Sequence, residues 1–366
     1  MKAVLSLLAV GASVQFTVAK EPWDNFKHIK APLFADIVSF AHLKHQHCLL
    51  DKSEKFDIAV NGLPLDTSVS YRTGARFGPS GIRQGSRRQD PENAWSHYWK
   101  QNPYKRGIKV IDCGDVPVIA VDNNMAYKSI EAAHDTLLNR QPASKQLKHP
   151  MLLTFGGDHS VELPILRSLK KVYGPIALIQ IDSHIDTWSS GKKYGFSDNH
   201  NEAPVSHGNM LWHAHEEGLL SSSIQAGIRT RFTNELDIED NEKFGIEMLT
   251  IDAVDEMGTK GISERIKERI GDKPAYITFD IDSLDPAFAP ATGTPEPGGL
   301  TTREAKAILR GLEGLNLVGA DIVEVSPAYD TSAELTQMVA AEVAYELLNL
   351  LTTSPLMKTS VHHDEL

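Results

Sequence analysis

Asp182, His184 and Asp186 alternate along the chain directly after the apolar run Ala177-Leu178-Ile179, and few folds can hold such a stretch. The run reads as a buried parallel strand. An extended continuation from Gln180 to Trp188 sends alternate side chains to one side. Two carboxylates and an imidazole then converge at the carboxyl end of a strand, where open α/β sheets place their ligands. Such groups repel when crowded, or stay poorly satisfied, unless a cation neutralises them. A metal site in a parallel sheet is the simplest resolution.

Other apolar runs end in the same chemistry. Met151 to Phe155 reads as a strand followed by Gly156-Gly157-Asp158-His159-Ser160, two glycines allowing a tight turn that leaves His159 at the strand's end. Ala275 to Phe279 delivers Asp280 and Asp282, and Leu317 to Val323 delivers Glu324. Phe56 to Val60, Ile108 to Asp112, Ile224 to Ile228 and Ile246 to Ile251 are further strands. Helices are expected over Asn123–Arg140, from the Gly-Gly turn to Lys171, after His207-Gly208-Asn209 to about Leu220, and over Gly261–Ile270, Thr301–Arg310 and Glu334–Leu351. Thr301 and Glu304 have capping-box spacing. The glycines of Gly74–Arg83 indicate a loop, and 187–206 and Ser283–Gly299 are further loops. Repeated strand-helix units imply a parallel sheet with helices on both faces.

A chain of 366 residues, 41% hydrophobic and with a net charge of -11, can bury a large core and lacks the basic balance of a nucleic-acid binder. The acidic balance suits a small cationic substrate. Residues 1–19 resemble a secretory signal peptide, too short for a membrane span, and His363-Asp364-Glu365-Leu366 forms the HDEL retrieval signal. Residence in the endoplasmic reticulum lumen, with the HDEL receptor as a partner, is the expectation. A lumen permits a disulfide between Cys48 and Cys113, but Cys113 reads better as a small buried thiol. His42, His45 and His47 fit no zinc spacing and read as a partly exposed helical face.

His159, Asp182, His184, Asp186, Asp280 and Asp282 are six ligands rich in carboxylate, suited to two divalent ions such as manganese. At this point Gly-Gly-Asp-His-Ser at 156–160, Asp-Ser-His-Ile-Asp at 182–186 and the run Phe279 to Gly299 resemble the signatures of the ureohydrolases, the family of arginase, agmatinase and related guanidino-acid hydrolases. Gly74-Ala-Arg-Phe-Gly-Pro79, Gly227-Ile-Arg229 and Ser206-His-Gly-Asn209 look agmatinase-like.

The resemblance implies an α/β fold, a three-layer α/β/α sandwich with a mostly parallel eight-stranded sheet, assembled as a trimer or hexamer. Together with the signal-like start and the HDEL end, it divides the chain into a signal peptide (1–19), an N-terminal extension (20–55), a ureohydrolase domain (56–353) and a tail (354–366). It implies two manganese ions per chain on the six residues above, with Asp182 also counted in the catalytic set. It gives Glu324 the substrate guanidinium and His207 the proton for the leaving amine. Asp285 is expected to orient the ligand loop. Ser183 stands where the family most often has Ala.

The activity expected is hydrolysis of a guanidino compound, agmatine first, with 4-guanidinobutyrate as the alternative if Lys192, Lys193 or Arg229 meets its carboxylate. A catalytically silent luminal scaffold is the reading from a different class. In arginases, the resemblance implies, an Asn two residues after the last Asp of Asp-x-His-x-Asp holds the amino-acid carboxylate. Trp188 stands there, and Ala203 and Val205 replace two further polar partners. Trp188 can instead pack along a methylene chain, so free arginine is expected to be a poor substrate.

Overall fold

The computed structural model describes residues 32–145, 147–188 and 204–358. The expected signal peptide, the HDEL tail, Lys192, Lys193, Ala203 and most of the loop after Trp188 lie outside them. Residues up to Asp36 form one contact unit and Ile37–Leu366 a second, and the second holds the fold.

Its strands are β1 (Ile58–Gly62), β2 (Val110–Asp115), β3 (Met151–Phe155), β4 (Ala177–Ile181), β5 (Ser223–Ile228), β6 (Ile246–Thr250), β7 (Ala275–Asp280) and β8 (Leu317–Val323). They make one eight-stranded sheet in the order β2-β1-β3-β8-β7-β4-β5-β6, every pairing parallel. Strands buried on both faces are mostly apolar on both faces, as in β3 and β8, where Thr154 and Asp321 are the buried polar exceptions. Alternate residues feed two cores. Ala275, Ile277 and Phe279 of β7 pack on one side, whereas Tyr276 packs on the other. The first core is closed by α6 (Asp252–Ile270), α7 (Thr302–Gly311) and α8 (Leu335–Thr353). The second is closed by α2 (Asn123–Leu138), α3 (Glu162–Tyr173) and α4 (Met210–Glu216). This is the three-layer sandwich.

The helices differ from expectation where glycine or surface polarity misleads. Gly78–Gly85 is a helix, α1, rather than a loop, with Pro79 in its first turn. Its glycines do mark a close approach, but to α8: a Cβ on Gly85 would lie 2.1 Å from the Gln337 carbonyl oxygen. The helix expected to start at Gly261 begins at Asp252 and breaks at Gly258, where φ is 68°. A short surface helix over Leu236–Lys243, α5, was not foreseen; only Asn241 in it is buried.

The histidine-rich segment is not a helical face. His42 ends a single 3-10 turn and His45 bridges to Asp112 beside β2. Cys113 is not a free thiol but is disulfide-bonded to Cys48. The bond holds the chain ahead of β1 against the outer edge of the sheet.

Candidate metal centre and active site

Strands β3, β8, β7 and β4 lie side by side in the middle of the sheet, so their carboxyl ends share one crevice. His159 follows β3, Asp182 to Asp186 follow β4, Asp280 ends β7, and Glu324 follows β8. All six predicted ligands meet there. His159 Nδ1 lies 3.1 Å from Asp182 Oδ2, 3.0 Å from Asp186 Oδ2 and 3.3 Å from Asp280 Oδ2. His184 Nδ1 lies 3.0 Å from Asp282 Oδ2 and 3.6 Å from Asp182 Oδ1. The groups His159-Asp182-Asp280 and Asp182-His184-Asp282 each bring one ligand atom per residue within 4.8 Å of the others, so each could hold an ion. Asp182 belongs to both, one oxygen facing each group.

The hydrogen bonding around His159 tests whether a cation fits. Thr278 Oγ1 spends its proton on Asp321 Oδ1 at 2.7 Å, so at 2.8 Å from His159 Nε2 it can only accept. The ring's N–H is therefore at Nε2, and the Nδ1 lone pair faces three carboxylates without forming a hydrogen bond. Four lone-pair atoms aimed at one point are compatible only with positive charge among them. A bare proton on Nδ1 meets that need in the metal-free protein. Burial disfavours it, but Asp182, Asp186 and Asp280 outweigh burial and hold His159 well above the usual histidine range. Burial and neighbouring negative charge likewise push Asp186 up to about 7 and Asp280 well above the carboxylate range. A divalent cation relieves all of these at once, and the residues fit it.

Two features that position the cluster were not visible in sequence. Gln180 Nε2 donates to Asp182 Oδ2 at 2.7 Å, Gln225 Nε2 donates to Gln180 Oε1 at 2.8 Å, and Asn241 Nδ2 donates to Gln225 Oε1 at 3.0 Å. This file of buried amides runs from β4 through β5 to α5 and orients the shared aspartate; Gln180 and Gln225, isolated polar residues inside apolar strands, were its only signal. Arg229 donates to the backbone carbonyls of Asp282, Ser283, Leu284 and Glu296, clamping the ligand loop. It is thus committed and is not the carboxylate reader considered above. Asp285 acts on the same loop as expected, accepting Ala287, Gly298 and Gly299 N–H groups. The Ser183 hydroxyl donates to Asp282 Oδ1 at 2.6 Å, a contact that Ala would not make.

The glycines before His159 serve a close approach and not a positive-φ turn. A Cβ on Gly157 would stand 1.8 Å from the Leu65 carbonyl oxygen. That contact brings the 63–70 loop over the site. A cavity of about 240 Å³ opens there, lined among others by Ser70, His159, His184, Trp188, His207 and Thr294. Trp188 packs with Ile185 and Ile228 and donates its ring N–H to Asp237 Oδ2 at 3.2 Å. Val205 is half-buried against the second core.

At the cavity, His207 Nδ1 lies 3.0 Å from Glu324 Oε1, which also accepts the His159 backbone N–H at 2.9 Å. Glu324 Oε2 is buried with no hydrogen-bond partner. Burial opposes charge on His207 but Glu324 favours it, and the ring is lifted to about 9. The Ser70 N–H, aimed at Nε2 from 2.9 Å, pulls the other way, since a protonated Nε2 has no lone pair to offer. Glu324 and Asp186 are both non-glycine residues with positive φ, 61° and 52°. Such strain costs about 1–3 kcal/mol per residue and clusters where geometry serves a site.

Known proteins carry the same architecture. The sequence model of the arginase family matches residues 56–349. A protein of Schizosaccharomyces pombe named "Putative agmatinase 1" is 45% identical over 337 residues, covering 89% of this chain and 85% of its own. An agmatinase of Salmonella paratyphi B is 40% identical over 297 residues, covering 80% and 86%. The solved proclavaminate amidino hydrolase of Streptomyces clavuligerus superposes with a TM-score of 0.76 at 34% identity, covering 87% of this chain and 98% of that one. This chain belongs to the arginase family and is an agmatinase-like ureohydrolase.

Proposed function

We propose that this protein hydrolyses agmatine to putrescine and urea. The observation that carries the reading is the buried, partnerless Glu324 Oε2 beside the cluster of His159, Asp182, His184, Asp280 and Asp282, which Asp186 joins through His159. A carboxylate oxygen without a donor is what a guanidinium N–H satisfies, as a charge-assisted bond. Manganese is the metal proposed, two ions per chain, held by His159, Asp182, Asp186 and Asp280 with His184 and Asp282. When bound, such a pair supplies a water whose pKa is lowered toward neutrality, and hence the nucleophile.

The protein's own residues do the rest. Glu324 holds the guanidinium so that its carbon faces the cluster. His207 gives a proton to the departing amine nitrogen as the carbon–nitrogen bond breaks. Trp188 packs along the methylene chain and takes the place of a carboxylate partner. With Arg229 clamped on carbonyls, the distal carboxylate of 4-guanidinobutyrate finds no guanidinium there.

Urea release from agmatine, arginine and 4-guanidinobutyrate tests this. Agmatine is expected to exceed arginine in kcat/KM by about a hundredfold, two unmet charged contacts costing roughly 1–3 kcal/mol each. Comparable values on the two would refute it.

We also propose residence in the lumen of the endoplasmic reticulum, with retrieval through the HDEL receptor. The signal-like N-terminus, the C-terminal HDEL and the Cys48–Cys113 disulfide support it. Deletion of residues 363–366 would then release the protein to later compartments. A trimer or hexamer is the proposed assembly.

A further inference from the structure

We propose that Ser70 is the relay through which His207 passes its proton into the cavity, an inference that rests on the proton-transfer role proposed for His207. Nδ1 of that ring is committed to Glu324 Oε1 at 3.0 Å. Exchange with a group in the cavity must therefore use Nε2. Ser70 covers Nε2, with its N–H donating from 2.9 Å and its hydroxyl at 2.7 Å. Ser70 itself lines the cavity beside His207 and Gly208.

The two contacts serve different states of the ring. A neutral Nε2 has one lone pair, and the backbone N–H takes it. Once Nε2 carries a proton, that N–H can no longer donate to it, and the hydroxyl oxygen becomes the acceptor. One residue thus has a partner ready for each protonation state. Its placement is enforced by the loop around it. Asp66 Oδ2 accepts the Gly74 N–H at 2.7 Å, Asp158 Oδ2 accepts the Ser68 N–H at 3.0 Å, and the Ser68 carbonyl accepts the His207 N–H at 3.1 Å. The Ser68 hydroxyl is held in turn by the Tyr127 hydroxyl at 2.6 Å.

The step balances. As the carbon–nitrogen bond of the tetrahedral adduct breaks, its electron pair goes to the departing nitrogen. That nitrogen takes the Ser70 hydroxyl proton while Ser70 Oγ takes the proton of His207 Nε2. The amine leaves, Ser70 is restored, and the ring is left neutral until it is reprotonated from solvent.

The test compares Ser70→Ala, Ser70→Thr and His207→Ala in the manganese-loaded protein with agmatine, reading kcat, KM and bound metal. Ser70→Ala is expected to lower kcat about 10- to 100-fold with KM and metal content unchanged, and Ser70→Thr, which keeps the hydroxyl, to recover most of it. A wild-type kcat in Ser70→Ala beside a slow His207→Ala would overturn the relay alone. A wild-type kcat in His207→Ala would overturn the proton-transfer role and the relay with it. Equal losses in Ser70→Ala and Ser70→Thr, or loss of manganese in Ser70→Ala, would make the residue structural and also overturn it.

Discussion

Asp182 turns one carboxylate oxygen toward each of two histidines, and this sharing separates it from the other ligands. Asp182→Asn is expected to reduce bound manganese from two ions per chain toward none, whereas Asp282→Asn spares the His159 group. Elemental analysis of the two variants, purified side by side, checks the distinction. His207 gives a pH signature. In metal-free protein its folded pKa of about 9 exceeds an unfolded value of about 6.5. The stability it contributes is therefore fully present below about pH 6.5 and is lost as pH rises through about 9. Thermal melts of metal-free protein across that window should decline less steeply in His207→Gln than in the wild type.

At the scale of elements, the loop from Asp282 to Gly299 is held by Arg229 and Asp285 together with one bridge between Leu284 and Leu300. Arg229→Lys replaces a planar fork by a single ammonium and leaves buried carbonyls without donors. It is expected to cost about 1–3 kcal/mol in chemical denaturation and to weaken manganese affinity, read by titration. The strands were legible because burial on both faces writes an apolar run into the sequence; β3 and β8 match their expected limits. The candidate ligands were legible because they directly follow those runs, but not through the extended spacing expected, since β4 ends at Ile181, Asp186 has a φ of 52° and Asp282 sits in a 3-10 turn. What stayed hidden obeys no period. The glycines of α1 look like loop punctuation, although they mark helix against helix. Ser70 and the file Gln180-Gln225-Asn241 are single polar residues whose partners lie far away in sequence. The Cys48–Cys113 pair had only buried surroundings to speak for it, and a thiol and a half-disulfide are buried alike.

Across the whole molecule, the disulfide closes a sequence separation of 65 residues and ties the segment before β1 to β2, far from the ligands. Chain-entropy reasoning puts its contribution at about 4 kcal/mol. Cys48→Ser should lower the denaturation midpoint while leaving kcat on agmatine unchanged, which an equilibrium unfolding curve and a urea assay together would show.

The strand order has a consequence for how the protein comes to exist. β8 is the last strand made, yet it lies between β3 and β7, in the middle of the sheet. Until it inserts, the half carrying His159 and the half carrying Asp182, His184, Asp280 and Asp282 share no edge. Every ligand has been synthesised by residue 282, but the ligands stand together only once Val323 has joined both halves. Chains emerge N-terminus first, so capture of metal by the whole set follows near-completion of translation. The group that includes His159 is thus the last to assemble, whereas Asp182, His184 and Asp282 already lie within one half.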